Sequence, residues 1–405
     1  MVPTSAPLRR ALAACCLLLL AACGNSTSDS GSDTLTEIDY YNADPQNSVL
    51  PGILQECGKQ AGVTIQRQAV PQGQLMSKLL LQASSRSMPD LALVDNPNLQ
   101  QLAATGALVS LSGAGLSTEG LYPSIVAAGQ YQGQTYGIAP GVNGLALFYN
   151  TDLFTKAGLT PPKTWEELTA AARKLTEGSR YGLAFSAAAT EEGTWQFEPF
   201  FWTGGADLRQ LDSPQAVQAL SLLQNMVVAG SVSKSVVTWT QSDVNDQFMA
   251  GNAAMMVNGP WQLPTLNANK ALHFAVVPIP LPSPSAKPVT PLGGEVWTVA
   301  HSNPAREAKA VAVAKCLLSR DESAKWSKAV GYIPSDQTAA AQLATADPQL
   351  AAFVQEVATA KARTAELGTG YPKVSQALVV AIQAALAGNT SPQAALSQAQ
   401  RSAQS

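Results

Sequence analysis

Three successive strand-then-helix units between Leu35 and Gly106 constrain this chain more than any other feature. Leu35-Thr-Glu-Ile-Asp-Tyr-Tyr41 alternates weakly and reads as a strand. Asn42-Ala-Asp-Pro45 is a turn that can open a helix, with Asp44 at the N-cap and Pro45 in the first helical position. That helix runs to about Gln60 and Gly62 stops it, where Val63-Thr-Ile65 begins a second strand. Gln74 to Ser84 is helical, and Pro89-Asp-Leu-Ala-Leu-Val94 is a buried strand ending in the turn Asp95-Asn-Pro97. Leu99 to Ala104 is a short helix closed by Gly106. Strands that alternate with helices this way form a parallel sheet with helices on both faces. In such sheets ligands bind outside the carboxyl ends of the strands.

The middle of the chain changes character. Tyr131-Gln-Gly-Gln-Thr-Tyr136 reads as a hairpin, and Leu145-Ala-Leu-Phe-Tyr149 as an apolar strand able to cross into a second lobe. Thr164-Trp-Glu-Glu167 is a capping box. Trp165, Leu168, Ala172 and Leu175 then line one helical face, and Gly178 ends it. Tyr181 to Phe185 reads as another strand, and Glu192 to Trp202 is rich in aromatics. Phe248-Met-Ala-Gly-Asn-Ala-Ala-Met-Met-Val-Asn-Gly-Pro-Trp261 is a helix end, a turn, a buried strand over Ala253 to Val257, and a Gly-Pro turn. That turn presents Trp261 at the strand's carboxyl end. Further on, Phe274 to Pro278 and Leu292 to Ala300 read as strands flanking the proline-rich loop Pro280 to Pro291. Asn303-Pro304 caps a helix to about Leu318, and alanine-rich helices complete the chain.

Composition excludes several classes. The 405 residues are 46% hydrophobic and 13% charged, enough for two sizeable cores. A formal charge of −3 leaves no basic footprint for nucleic acid. No apolar run is long enough to span a membrane. His273 and His301 stand far apart, with no motif for a metal or a nucleophile, so no cofactor is expected. At the N-terminus, Arg9-Arg10 precedes a short apolar segment, Ala11 to Ala22, that reads as a secretory signal over 1–22. It ends in Leu20-Ala-Ala-Cys23-Gly24, which resembles the lipobox of bacterial lipoproteins, with Cys23 the lipidated residue. Residues 23–34 would be the lipid-bearing cysteine and a polar tether. The protein is therefore expected outside the cell, held to the outer face of the cytoplasmic membrane by its lipid alone. Of the five cysteines, Cys57 and Cys316 remain once the leader and Cys23 are set aside. An exported protein favours one disulfide from two cysteines, and two buried free thiols are the alternative.

The order of these signals resembles the extracellular solute-binding proteins of carbohydrate ABC importers, the maltose-binding-protein-like family. The matching pieces are Tyr136-Gly-Ile, Leu147-Phe-Tyr-Asn150, Pro162-Lys-Thr-Trp-Glu-Glu-Leu168, Phe248-Met-Ala-Gly, Gly259-Pro-Trp261, Gly293-Gly-Glu-Val-Trp297 and Gly331-Tyr-Ile-Pro334. They run in order from about residue 35 to the end. The resemblance implies an α/β, two-lobed periplasmic-binding-protein-like fold of type II, with discontinuous lobes joined by a hinge. Lobe one would be 35–143 plus 263–318, and lobe two 144–262 plus 319–405. Both cysteines would then lie on lobe-one helices, and a Cys57–Cys316 bridge would pin the chain's return to that lobe. The implied partners are a carbohydrate and the transmembrane subunits of an ABC permease, with the chain itself a monomer.

A sugar offers flat C–H faces and a ring of hydroxyls, so it calls for aromatic platforms and matched polar groups. By family position Trp261 is the first platform, Glu198 a polar contact with Phe200 stacking beside it, Tyr332 an aromatic closing the cleft, and Asn143 a polar crossing residue. Trp297 follows the Gly293-Gly294 pair, where missing side chains let a ligand approach the backbone at Gly294. Asp95, Asn96 and Asp44 sit just past strand ends, and each could instead hold a turn. Tyr41 and Trp202 are further candidates, while Trp195 and Trp239 could be core or cleft. No lysine or arginine stands out at these positions, which argues against a phosphate-bearing ligand and for a neutral or amino sugar. Two competitors remain: the same family binding a glycerophosphodiester or polyol, and a secreted glycoside hydrolase. The hydrolase would need two carboxylates roughly 5–10 Å apart, and Glu191, Glu192, Glu198 and Glu295 supply carboxylates without a visible paired motif.

Overall fold

The computed structural model describes residues 33–404. The signal segment 1–22, Cys23 and the tether down to residue 32 lie outside the described residues. Among the described residues, no helix is long and apolar enough to cross a membrane.

The first three strands pair as their alternation with helices predicts. Thr34–Asp39 lies parallel to both Thr64–Ala69 and Leu91–Asp95, with Leu35 opposite Ile65 and Ile38 opposite Ala92. Much later in the chain, Glu295–Val299 joins this sheet antiparallel to Leu91–Asp95, setting Glu295 opposite Asp95. Leu50, Leu54, Leu93, Val299, Val313 and Leu317 form one core against this sheet. Cys57, on helix Gln46–Gln60, meets Cys316, on helix Pro304–Leu317, in a disulfide with Cα atoms 5.5 Å apart. The first helix begins at Gln46 rather than at Pro45, after a cis Asp44–Pro45 bond, so Asp44 is not its N-cap.

The second sheet is antiparallel throughout. Ala146–Asn150 lies between Met255–Asn258 and Phe274–Val277. Phe274–Val277 falls in the 263–318 stretch expected to belong to lobe one, yet it is bonded to Ala146–Asn150, the strand expected to open lobe two. Its alternate residues serve either sheet equally well on pattern alone, so only the pairing decides. Tyr181 to Phe185, expected as a strand, forms isolated bridges to Ala253, Val232 and Met256 instead of one ladder. It divides its hydrogen bonds between different partners and so never builds a continuous edge.

The capping box forms as written: Thr164 accepts from the Glu167 amide, the Glu167 carboxylate accepts from the Thr164 amide, and Trp165, Leu168, Ala172 and Leu175 are buried. Such a cap contributes about 1 kcal/mol. The hairpin at Tyr131 also forms, turning through Gln132 and Gly133 with positive φ at both.

Between the two sheets three passages of chain lie side by side. Gly141–Val142 pairs antiparallel with Ile333–Pro334, and Asn143 bridges Gly293.

Candidate functional site

The carboxyl ends of the first sheet open onto a cavity of about 430 Å³. One wall is built by the turn after Thr34–Asp39. There Asp39 accepts from both Arg67 Nε and Nη2, at 2.6 and 2.9 Å, and from the Tyr41 amide at 2.6 Å. A buried carboxylate so paired holds the backbone that carries Tyr40 and Tyr41. The opposite wall is the N-terminal turn of helix Glu191–Thr203, capped by Thr190, together with Gln241 and Gln262.

Trp261 stands on a short 3-10 turn, Pro260–Gln262, directly after Met255–Asn258. Its ring folds back over Gly259, where a Cβ would lie 1.8 Å from the indole. Trp261 stacks on Trp195 with ring centres 5.5 Å apart and meets Tyr332 edge-on at 6.4 Å. Tyr332 Oη lies 3.3 Å from Tyr41 Oη. The Gly293-Gly294 turn passes beneath: a Cβ on Gly293 would lie 2.0 Å from Asn143 Oδ1 and 2.6 Å from Trp195, and Gly294 takes φ +111°. A side chain at Gly293 would run into Asn143 and the Trp195 ring, and one at Gly294 into the Gly141–Val142 backbone.

Two charged centres line the space. Glu295 accepts hydrogen bonds from the Tyr40 and Tyr41 hydroxyls. Burial, and next the nearby Asp95 carboxylate, push its carboxyl up to about 7, while the tyrosine hydroxyls pull the other way. The second centre is Arg363, buried at 2% exposure. Its Nη1 donates to Asp95 Oδ2 at 3.1 Å and to Glu191 Oε1 at 2.7 Å, and its Nη2 donates to Asp95 Oδ1. Burial opposes its charge, but the Asp95 and Glu191 carboxylates outweigh that and hold it protonated. Glu191 also accepts from Tyr371 Oη at 2.6 Å and from Ser375 Oγ. Beside it, burial pushes the Glu192 carboxyl up to about 7 against the hydrogen bond it receives from the Gln241 amide.

Trp261, Tyr332, Tyr41, Asn143, Gly294, Asp95 and Asp44 therefore line one cavity, as does Trp195. Asp44 is exposed at its rim and accepts from Ser48 Oγ. Other expected residues are elsewhere. Glu198, Phe200 and Trp202 are buried in the second core, because helix Glu191–Thr203 is enclosed from Gly193 to Trp202 and only its first turns reach the cavity. Glu198 accepts from Tyr371 Oη at 2.8 Å, and Lys361 Nζ sits over the Trp202 ring at 5.0 Å. Trp297 packs in the first core. It shares a face with Glu295 but lies two residues, about 7 Å, further from the rim. Asn96 holds the glycine turn, its Nδ2 donating to Leu292 O at 3.2 Å and Gly294 O at 2.8 Å. Trp239 packs against the cores and does not line the cavity.

Sequence reasoning missed Arg363, Tyr40, Gln46, Gln241 and Gln262 altogether, and gave Glu191, Glu192 and Glu295 no binding role. Glu295 was within reach, since it directly follows the glycine pair. Arg363 had no signal, being a lone arginine in an alanine-rich stretch. Among the described residues no group of histidine, cysteine and carboxylate side chains could hold a metal ion.

The profile of the family described as "Bacterial extracellular solute-binding protein" matches residues 52–352, well over half of the chain. The chain belongs to that family. It is 26% identical over 305 residues to a maltooligosaccharide ABC transporter solute-binding lipoprotein of Streptococcus pneumoniae serotype 4, covering 70% of this chain and 69% of that one. Among solved structures it resembles an ABC transporter solute-binding protein of Thermotoga lettingae bound with α-D-tagatose, at 26% identity and TM-score 0.82, covering 92% and 99% of the two chains. A cyclic α-maltosyl-1,6-maltose binding protein of Arthrobacter globiformis matches at 25% identity and TM-score 0.75, covering 92% and 98%. The fold is thus the α/β, two-lobed fold of these solute-binding proteins.

Proposed function

We propose that the protein captures a saccharide in this cavity and delivers it to the permease of an ABC importer, without transforming it. The observation that carries this is the pairing of an aromatic platform with polar atoms left over from the protein's own hydrogen bonding. Trp261, stacked on Trp195, offers a flat apolar face. Asn143 Oδ1, Trp195 Nε1 and Gln241 Nε2 belong to lining residues, are buried and have no partner within the protein. Each such group costs about 1–3 kcal/mol until something satisfies it. A ring of hydroxyls, each both donor and acceptor, suits such a mixed set. The pneumococcal and Thermotoga proteins named above, with maltooligosaccharide and tagatose in their descriptions, support a sugar ligand. A hydrolase is disfavoured because Glu295 is held by two tyrosines, Glu191 by Arg363 and Glu192 by the Gln241 amide.

On this reading Trp261, Tyr332, Tyr41, Asn143, Gly294, Asp95 and Asp44 contact the ligand. The two sheets belong to separate lobes that close about the passages at Gly141–Val142, Gly293 and Ile333–Pro334. The mature chain begins at Cys23, lipidated outside the cell, carries the Cys57–Cys316 bridge and acts as a monomer. A thermal-shift screen of the tether-free protein against sugars, polyols and glycerophosphodiesters tests the ligand class, since a ligand of the folded state raises the melting point. A shift with glycerophosphodiesters alone would overturn the saccharide reading.

A further inference from the structure

The charge of the cavity narrows the saccharide, on the reading that this cavity is the binding site. Among the described residues lining it, five are carboxylates, Asp44, Asp95, Glu191, Glu192 and Glu295, against one cation, Arg363. That cation is already taken. Asp95 and Glu191 hold it from two sides, at 3.1 and 2.7 Å for its Nη1. Glu192, Glu295 and Asp44 therefore face the cavity with no lysine, histidine or second arginine in its lining. The donors they do have are neutral: tyrosine hydroxyls for Glu295 and a backbone amide for Glu192. A cleft lined by one sign of charge between low-dielectric walls focuses its field on whatever enters.

Two further observations point to the charge of the guest. Asn143, 3% exposed, lines the same cavity, and its buried acceptor oxygen, Oδ1, has no partner within the protein. The rings of Tyr41, Tyr332 and Trp261 stand together beside Glu295: Tyr41 donates to it, Tyr332 Oη lies 3.3 Å from Tyr41 Oη, and Trp261 meets Tyr332 edge-on. Aromatic faces attract cations. Uncompensated carboxylates and electron-rich rings both favour a positive charge, and the unpaired buried acceptor takes a hydrogen bond from any donor, an ammonium included. We propose that the cavity selects a saccharide bearing a protonated primary amine, an aminohexose or an oligosaccharide containing one, with its ammonium at Glu295.

Paired probes decide it, each amine beside its hydroxyl counterpart: glucosamine and glucose, galactosamine and galactose, the glucosamine β-1,4-dimer and cellobiose, with N-acetylglucosamine as the neutral amide. Isothermal titration of the tether-free protein at pH 7 and low salt is expected to give at least one amine binding tenfold or more tighter than its counterpart. That ratio should shrink as salt is raised. In Glu295→Gln the ratio should collapse to within about threefold, for a one-charge loss at a hydrogen-bonded site. Neutral members binding as well as the amines would overturn this inference and leave the saccharide reading intact. Silence from every probe, amine and neutral alike, would overturn both. A preference that survives in Glu295→Gln would remove the ammonium from Glu295 and refute the assignment.

Discussion

Replacing Glu295 by glutamine in the ligand-free protein should change how stability depends on pH, by an amount the structure sets. The folded carboxyl is pushed from 4.5 to about 7, first by burial and then by Asp95 on the neighbouring strand. Tyr40, Tyr41 and Tyr332 are the other titratable groups acting on it, and burial followed by the Glu295 charge pushes all three phenols well above their usual range. The unfolded chain releases this proton near 4.5, so between about pH 4.5 and 7 the folded state holds more protons. The Glu295 contribution is therefore most favourable below pH 4.5, declines as pH rises to about 7, and is flat above that. The full displacement corresponds to about 3 kcal/mol, of which about 2–3 kcal/mol falls between pH 5 and pH 8. Glutamine cannot ionise, yet its carbonyl still accepts from a tyrosine. Urea unfolding of both proteins at pH 5, 6, 7 and 8 should show the variant gaining about 2–3 kcal/mol on the wild type across that range. Glu191, Glu192 and Glu198 titrate in both proteins and cancel from the comparison. Parallel stability curves would mean that Glu295 ionises normally, and that the tyrosine cluster offsets its burial in full.

Arg363→Met leaves Asp95 and Glu191 buried without their cation, which should cost about 3–5 kcal/mol at pH 8. Part of that loss should return at pH 5 as Glu191, whose carboxyl burial already pushes up, takes up a proton, and a melting point lowered equally at both values would count against the ionic account. Trp261→Ala should abolish the sugar-induced rise in melting point while the apo protein keeps its far-ultraviolet circular dichroism. Normal binding by that variant would remove Trp261 from the site. Reducing the Cys57–Cys316 bridge, which spans 259 residues of chain, should cost up to about 5–6 kcal/mol by loop entropy. Thermal melts with and without dithiothreitol, and of Cys57→Ser with Cys316→Ser, should fall by the same amount. A melting point insensitive to reductant would indicate free thiols in the isolated protein.

Much of the fold was legible because local chemistry wrote it. The capping box at Thr164, the Gln132-Gly133 turn and the run of strand and helix from Leu35 each carry their own instruction, and each formed. The site was legible where a residue stood next to a turn at a strand end, as with Trp261, Tyr41 and Asp95. It was illegible wherever a side chain's exposure depends on which element covers it. Phe200, Trp202 and Trp297 look as suitable for a sugar as Trp261 does. They sit on the enclosed stretches of their helix and strand, beyond the ends that reach the cavity, and nothing local to them says so.

By itself, the chain of residues determined most of the strands and helices, though not the stretch Tyr181 to Phe185, because propensity, capping and apolar period act over a few residues. It also determined that a tryptophan would stand beyond a strand's end. Tertiary structure alone decided the rest. It brought Asp95, Glu191 and Arg363 together across 268 residues of chain, and Glu295 to Tyr40 and Tyr41 across 255 and 254. Those charges mean little apart. Buried side by side, they shift one another's protons and give the cavity its sign, and only the packing of distant segments can create that low-dielectric proximity.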